Sequence, residues 1–236
     1  MNYLGPARAF GVLSLALAAV SVQAAPKIYF GENLDPMYQV SGSGAPEDSR
    51  NRFVADLITL MSEDFETFSP PHGAPLALRF GGPSWTYAAT ITSSSNGQVS
   101  DDWSNGRWNT SSGGNQWWDT SGPVKIEFAT PVSAFGFFAT DVGDFGAKLT
   151  VTLANAFGAK TFDVPNTTFG ASGSLLFWGF IDPSAKYTSI SFASSNSADS
   201  FGLDDLIIGS VVPEPSSLAL FGLGLAGLAV ARRRQR

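Results

Sequence analysis

The stretch Leu149-Thr150-Val151-Thr152-Leu153 decides the fold class, because apolar and hydroxyl side chains alternate along it. Alternation with a period of two places every second side chain on one face, which is typical of a strand with a buried and a wet face. The segment Ser189-Ile190-Ser191-Phe192 repeats this pattern. We therefore predict antiparallel β-structure around both segments.

Short apolar segments of the same kind recur along most of the chain, separated by glycine, proline, asparagine and aspartate. The predicted strands are residues 76–80, 85–91, 124–128, 132–140, 149–154, 160–164, 175–181, 187–193 and 203–208. Many short strands with turn residues between them favour an all-β fold, an antiparallel β-sandwich of the jelly-roll-like kind.

One short helix is predicted before these strands, over residues 49–62. Phe53, Leu57, Leu60 and Met61 recur there at i, i+4, i+7 and i+8, which makes one apolar stripe. The preceding residues 42–48 are predicted to form a loop. We therefore expect residues 25–62 to be an N-terminal segment with an amphipathic helix, and residues 63–211 to be the β-sandwich domain.

Composition excludes several classes of site. The chain of 236 residues contains no cysteine and one histidine, His72. Disulfides, thiolate metal sites and cysteine nucleophiles are therefore excluded. A single histidine also leaves little basis for a histidine-based triad or a multi-histidine metal site. The formal net charge is −6. A nucleic-acid partner is not expected, because such a partner needs a basic face.

The first 24 residues predict a secretory signal peptide. Arg8 precedes an apolar run over residues 10–22, and Val22-Gln23-Ala24 has small residues where signal peptidase reads the chain. We predict cleavage after Ala24.

The opposite end combines three features in a fixed order. Val212, Pro213, Glu214 and Pro215 come first, and an apolar run follows. Residues 216–231 predict a transmembrane helix of about 24 Å. A cluster of basic side chains ends the chain, and it indicates the cytoplasmic side of the membrane. Its first members are Arg232, Arg233 and Arg234.

Together these features resemble the PEP-CTERM sorting signal of Gram-negative bacteria, over residues 212–236. The resemblance implies recognition by an exosortase, a transient inner-membrane anchor, and transfer to the cell surface or extracellular matrix, commonly in species that make exopolysaccharide. A permanent C-terminal anchor is the alternative. Four internal segments also resemble the passenger domain of many PEP-CTERM proteins, which implies a jelly-roll-like fold without an assigned activity. These segments are residues 64–68, 106–110, 134–146 and 199–206.

Acidic residues in predicted turns and at the start of the last strand suggest a structural calcium site. Ca²⁺ takes about six to eight oxygen ligands from carboxylates, carbonyls and water. The alternative is that these side chains only bond nearby amides in turns. The candidate ligands are Glu66, Asp141, Asp144, Asp199, Asp204 and Asp205.

Tryptophans and polar side chains in one loop region suggest a glycan-binding face. Flat rings pack on the apolar faces of sugars, while amides and arginine bond the hydroxyls. The alternative is that the rings only cover the edge of a sheet. The candidate residues are Trp103, Arg107, Trp108, Asn109, Trp117 and Trp118.

Catalysis is not expected from this sequence. Asp101-Asp102 and Asp204-Asp205 are the available acid pairs, and neighbouring strand residues are expected to point to opposite faces. The favoured function is a glycan-binding or structural component associated with exopolysaccharide. A self-associating structural or adhesive surface protein is the alternative, and a polysaccharide-modifying enzyme comes third.

Overall fold

The computed structural model describes residues 25–36, 40, 42–81, 87–211 and 224. The chain divides into one unit of residues 24–214 and a second of residues 1–23 and 215–236. The predicted signal peptide and, apart from residue 224, the predicted transmembrane helix lie outside the described residues. Within the described part, no helix has the length and apolar character needed to cross a membrane.

The first unit contains one α-helix and fourteen described strands. In chain order they are β1 (Lys27–Asn33), α1 (Ala45–Ala55), β2 (Thr59–Glu63), β3 (His72–Gly73), β4 (Leu76–Phe80), β5 (Tyr87–Ser93), β6 (Gln98–Ser100), β7 (Trp117–Thr120), β8 (Val124–Val132), β9 (Ala134–Thr140), β10 (Leu149–Asn155), β11 (Gly158–Asp163), β12 (Leu175–Ile181), β13 (Tyr187–Ser194) and β14 (Phe201–Ser210). A short 3₁₀ turn covers Trp103–Asn105.

The strands form two antiparallel sheets. The first sheet has eight strands in the order β1-β12-β9-β14-β7-β6-β3, and β2 also pairs with β14. β7 pairs with the beginning of β14 and β2 with its end, so the two strands share one side of β14. The second sheet has six strands in the order β11-β10-β13-β8-β5-β4. These sheets and the single short helix confirm the predicted all-β sandwich.

Side chains from both sheets form the core between them. In β10 the buried residues Leu149, Val151 and Leu153 alternate with residues of greater exposure. The rings of Phe135, Phe137 and Phe192 pack together in the core, with centroids 5.0–6.1 Å apart. The alternation in the sequence therefore marks the second sheet, which buries only one face.

The middle of the first sheet is buried on both faces. Every residue of β9 and β12 is buried. On the outer face, Phe53 of α1 packs with Phe138 and Phe177 in a second hydrophobic cluster. Continuous apolar runs such as Leu-Leu-Phe-Trp-Gly-Phe-Ile in β12 are expected where a sheet is covered on both sides.

The helix is shorter than predicted and begins earlier. It covers Ala45–Ala55, with Pro46 in its first turn, so the prediction of a loop over residues 42–48 is wrong from residue 45 onward. Leu60 and Met61 lie in β2, where Met61 pairs with Ile208. The apolar period continues past residue 55, but this segment pairs with β14 instead of extending the helix.

The predicted boundary between residues 62 and 63 does not separate two parts of the chain. β1 pairs with β12, and β2 pairs with β14. Both strands before the boundary are therefore members of the first sheet. The N-terminal segment completes the sandwich and also covers its outer face through α1.

Candidate functional site

The loop between β6 and β7 crosses the outer face of the first sheet. Trp108 lies in the same hydrophobic cluster as Phe53 and Phe138, and it is 8% exposed. Its indole Nε1–H donates to the carbonyl oxygen of Gly173 at 3.1 Å. Trp108 is therefore an anchor of the loop and is not available to a ligand.

Carboxylates hold the rest of this loop in place. The backbone N–H of Thr110 donates to Oδ2 of Asp204 at 2.6 Å, and the hydroxyl of Ser111 donates to Oδ1 of Asp205 at 2.8 Å. Further along, the N–H groups of Asn115 and Gln116 donate to Oε1 of Glu66 at 2.7 and 2.8 Å. Asn109, the amide among the candidate glycan-binding residues, closes a local turn through hydrogen bonds with Ser111.

Asp204 and Asp205 do not point to opposite faces, contrary to the prediction. The hydroxyl of Thr110 reaches Oδ2 of both carboxylates, at 3.1 and 3.0 Å. The register of β14 against β9 shifts between Asp204 and Ile207, and Asp205 has a φ of +46°. This bulge turns both side chains toward the loop. Burial, followed by the charge of Asp205, raises the pKa of Asp204 well above its ordinary value.

Arg107 joins three segments of the outer face. Its Nε lies 2.6 Å from Oδ1 of Asp119, and its Nη1 lies 3.3 Å from Oδ2 of Asp141. Nη1 also donates to the carbonyl oxygen of Asn105 at 3.1 Å. Burial raises the pKa of Asp119 and of Asp141, although the positive charge of Arg107 acts against this shift.

Asp144 and Asp199 form a second carboxylate pair. Asp199 is 2% exposed, and its Oδ2 accepts a 3.0 Å hydrogen bond from the backbone N–H of Gly143. Burial, followed by the hydrogen bond and the charge of Asp144, raises the pKa of Asp199 to about 7. This is the one pair among the six candidate ligands in which buried carboxylate oxygens lack a donor.

The six candidate calcium ligands are therefore not one cluster. Asp204 and Asp205 hold the loop, Glu66 holds its end, and Asp141 bonds Ser172 and Gly173 as well as Arg107. Among the described residues, no group of three or more acidic or histidine side chains is arranged to hold a metal ion. Calcium binding stays a prediction.

The prediction that Trp117 and Trp118 present their faces to a ligand is wrong, because both are 0% exposed. Consecutive strand residues point to opposite faces, and this part of the sheet is covered on both. Trp118 lies in the core between the sheets, near Phe65. Trp117 lies under Trp103, with ring centroids 6.3 Å apart and an angle of 87° between the rings. Trp103 itself is 49% exposed.

A polar cleft of about 590 Å³ lies beside Arg107 and Asp119. Apart from these two side chains, hydroxyls and amides line most of it. Its remaining lining residues are Gly73, Ala74, Ser93, Ser94, Ser95, Asn96, Gly97, Gln98, Thr120, Ser121 and Ser200.

Sequence reasoning identified Arg107 but not the rest of the cleft. Part of the cleft is lined by the run Ser93-Ser94-Ser95-Asn96-Gly97. Such a composition predicts a loop but does not predict that the loop lines a pocket. Trp117 and Asp119 are two positions apart on β7 and so share a face. Trp103, which packs on Trp117, therefore lies on the same face of the sheet as Asp119.

Comparisons with known proteins concern the fold and the C-terminal end. No curated protein matches the sequence. The cleaved adhesin domain K2 of Lys-gingipain has a TM-score of 0.43 and 15% identity, over 64% of this chain and 100% of that domain. A family 22 carbohydrate-binding module of Clostridium thermocellum Xyn10B has a TM-score of 0.39 and 10% identity, over 67% of this chain and 96% of the module.

A DUF4465 family protein from Bacteroides ovatus is also similar, with a TM-score of 0.34 and 8% identity, over 79% of this chain and 100% of that protein. At such low TM-scores these likenesses say nothing about a ligand. The family comparison is specific but short. It covers residues 211–234, a range that includes all the predicted sorting residues, Val212–Pro215 and Arg232–Arg234. These sorting residues lie outside those that the structure describes. The chain carries a PEP-CTERM protein-sorting motif at residues 211–234.

Proposed function

We propose that this protein is exported across the inner membrane of a Gram-negative bacterium and works at the cell surface or in the extracellular matrix. The PEP-CTERM motif at residues 211–234 supports this proposal. Signal peptidase would remove residues 1–24. Residues 216–231 would then hold the precursor in the membrane until an exosortase processes it.

The exported unit would bind glycans, such as extracellular polysaccharide, through the polar cleft. The observation that carries this proposal is the lining of the cleft, in which hydroxyls and amides surround the Arg107–Asp119 ion pair. Such groups can exchange hydrogen bonds with sugar hydroxyls. Trp103 lies on the same face and is half exposed, so one aromatic ring is available to pack on a sugar.

A binding role fits the cleft better than hydrolysis. Glycoside hydrolysis ordinarily needs two carboxyl groups that flank the bond to be broken. Asp119 is the one carboxylate among the residues that line the cleft, and its Oδ1 lies 2.6 Å from Nε of Arg107. We therefore propose a non-catalytic role.

Co-sedimentation with insoluble extracellular polysaccharide tests the proposal. The protein would be residues 24–214, the unit that contains both hydrophobic clusters. We expect Trp103→Ala and Gln98→Ala to reduce the bound fraction at least fivefold, because the first removes the exposed ring and the second an amide of the cleft. Phe157→Ala is the matched control, since Phe157 is 99% exposed in the turn between β10 and β11 of the other sheet. Equal binding by all four proteins, or by none, would refute glycan recognition at this site.

Self-association is the second candidate, and the free side of β11 favours it. β11 is the edge strand of the second sheet, and five of its six residues are exposed. Exposed strand edges can pair with a second copy. Sedimentation velocity on wild type and on Thr161→Pro, which removes an N–H from this strand, would show a mass that falls to the monomer only in the variant.

A further inference from the structure

The carboxylates of Asp144 and Asp199 differ from those of the buried pair Asp204 and Asp205. Oδ1 of Asp144 and Oδ1 of Asp199 are both buried, and neither has a hydrogen-bond donor. The two carboxyl groups lie within hydrogen-bonding reach of each other. In Asp204 and Asp205, by contrast, every carboxylate oxygen accepts a hydrogen bond from the loop or from β14 itself.

Two carboxylate oxygens in this position repel each other and have lost their water. Burying such charge without compensation is costly, so either a shared proton or a cation is expected between them. Among the described residues, no lysine or arginine forms an ion pair with Asp144 or Asp199. Asp141 adds a third negative charge nearby. The guanidinium of Arg107 bonds Oδ2 of Asp141 and forms no ion pair with Asp144 or Asp199.

We propose that Asp144 and Asp199 bind a calcium ion between the loop after β9 and the segment before β14. Their oxygens are hard ligands, and the chain offers no cysteine and only His72 for softer metals. Main-chain carbonyls and water would complete the coordination shell. With two carboxylates, the dissociation constant is expected in the range of extracellular modules, about 0.1–1 mM.

Thermal unfolding of residues 24–214 tests this site directly. After treatment with chelator, addition of 5 mM CaCl₂ is expected to raise the midpoint by about 3–6 °C, and 5 mM MgCl₂ by less, because Mg²⁺ gives up its water reluctantly. Isothermal titration with CaCl₂ should show one site per chain.

Two variants and one control separate this site from general charge effects. Asp199→Asn and Asp144→Asn are expected to lose the calcium response. In chelator they should be at least as stable as wild type, because each removes one of two uncompensated charges. Glu66→Gln should keep the full response, since Oε1 of Glu66 is occupied by two backbone N–H groups.

Three outcomes would overturn the proposal. They are a wild-type midpoint that calcium does not change, an equal calcium shift in Asp199→Asn, and loss of the shift in Glu66→Gln. A wild type that ignores calcium but gains stability as the pH falls below 7 would show that the pair shares a proton instead.

Discussion

Gly136 and Gly179 face each other across β9 and β12, and the ring of Phe53 lies against both positions. A Cβ atom at position 136 would lie 2.9 Å from a ring carbon of Phe53, and one at position 179 would lie 2.8 Å from another. The two glycines therefore leave the space in which the ring of Phe53 packs, and this packing is the seat of the helix on the sheet. The contact couples α1 to the middle of the first sheet.

Removal of the Phe53 ring should strongly destabilise the protein. We expect Phe53→Ala to lower the free energy of unfolding by about 3–5 kcal/mol, because the ring is fully buried. Gly136→Ala should cost about 1–3 kcal/mol through overpacking. Urea denaturation of residues 24–214 measures both, with the exposed Asn51→Ala as control. A loss below about 0.5 kcal/mol for Phe53→Ala would show that the helix does not depend on this seat.

The stability of the second sheet should depend on pH through Asp182. Burial alone raises the pKa of this carboxyl group, but hydrogen bonds from Ser184, Lys160 and Tyr187 outweigh burial and lower the pKa from 3.8 to about 2. An acid whose pKa is lower in the folded state adds stability above its unfolded pKa and loses it as the pH falls through its folded pKa. This contribution should therefore disappear between about pH 4 and pH 2.

Asp182→Asn tests that dependence. We expect the variant to be about 1–3 kcal/mol less stable than wild type at pH 6, because the ion pair with Lys160 is lost, and the difference to shrink toward pH 2. Urea denaturation across this pH range provides the measurement, with the exposed Asp163→Asn as control. A difference that stays constant with pH would contradict the assignment.

Trp103 and Trp117 should have opposite roles although their rings touch. Trp117→Ala is expected to lower the free energy of unfolding by about 3–5 kcal/mol, since the ring is fully buried. Trp103→Ala should change it by less than about 1 kcal/mol, because half of that residue is exposed. Chemical denaturation distinguishes the two. A large loss in Trp103→Ala would mean that any binding defect of this variant reflects folding.

The stability that depends on Asp204, which bonds Thr110, should change with pH in the opposite direction to the contribution of Asp182. Asp204→Asn replaces an acceptor of two backbone N–H groups, from Thr110 and Ser111, and should cost about 2–4 kcal/mol. Because the folded-state pKa of Asp204 is raised, wild type loses stability as the pH rises above 3.8, and the variant does not. Its deficit should therefore shrink between pH 4 and pH 8. Denaturation curves in which the deficit grows over this range would exclude the raised pKa.

Strands with a clear local pattern, either strict alternation or a continuous apolar run, could be predicted from the sequence. β4 and β12 were predicted with their observed bounds, residues 76–80 and 175–181. The predicted helix extends too far because Leu57, Leu60 and Met61 satisfy a helical period. Residues 59–63 form a strand instead because they pair with the end of β14, beyond the part that pairs with β7. Such a partner lies about 150 positions along the chain, as in the pair Thr59 and Ser210, and no local pattern reveals it.

The site was less predictable than the fold. Arg107 was identified from the polar loop, but the burial of Trp117 and Trp118 depends on the elements that cover both faces of β7. The shared direction of Asp204 and Asp205 depends on a bulge that the alternation rule does not anticipate. The cleft itself brings together residues 73–74, 93–98, 119–121 and 200, which only the completed sheets make neighbours.

β14 has a mechanical consequence for a protein sorted through its C-terminal end. The strand is bonded to β9 along one side and to β7 and β2 along the other, and it ends at Ser210, directly before the sorting motif. Hydrogen bonds between antiparallel strands run perpendicular to the strands. Force applied at residue 211 therefore loads these bonds in shear, many at a time, instead of unzipping them in succession. If the protein is held by its C-terminal end, a pull on that end would therefore have to break many hydrogen bonds of β14 at once.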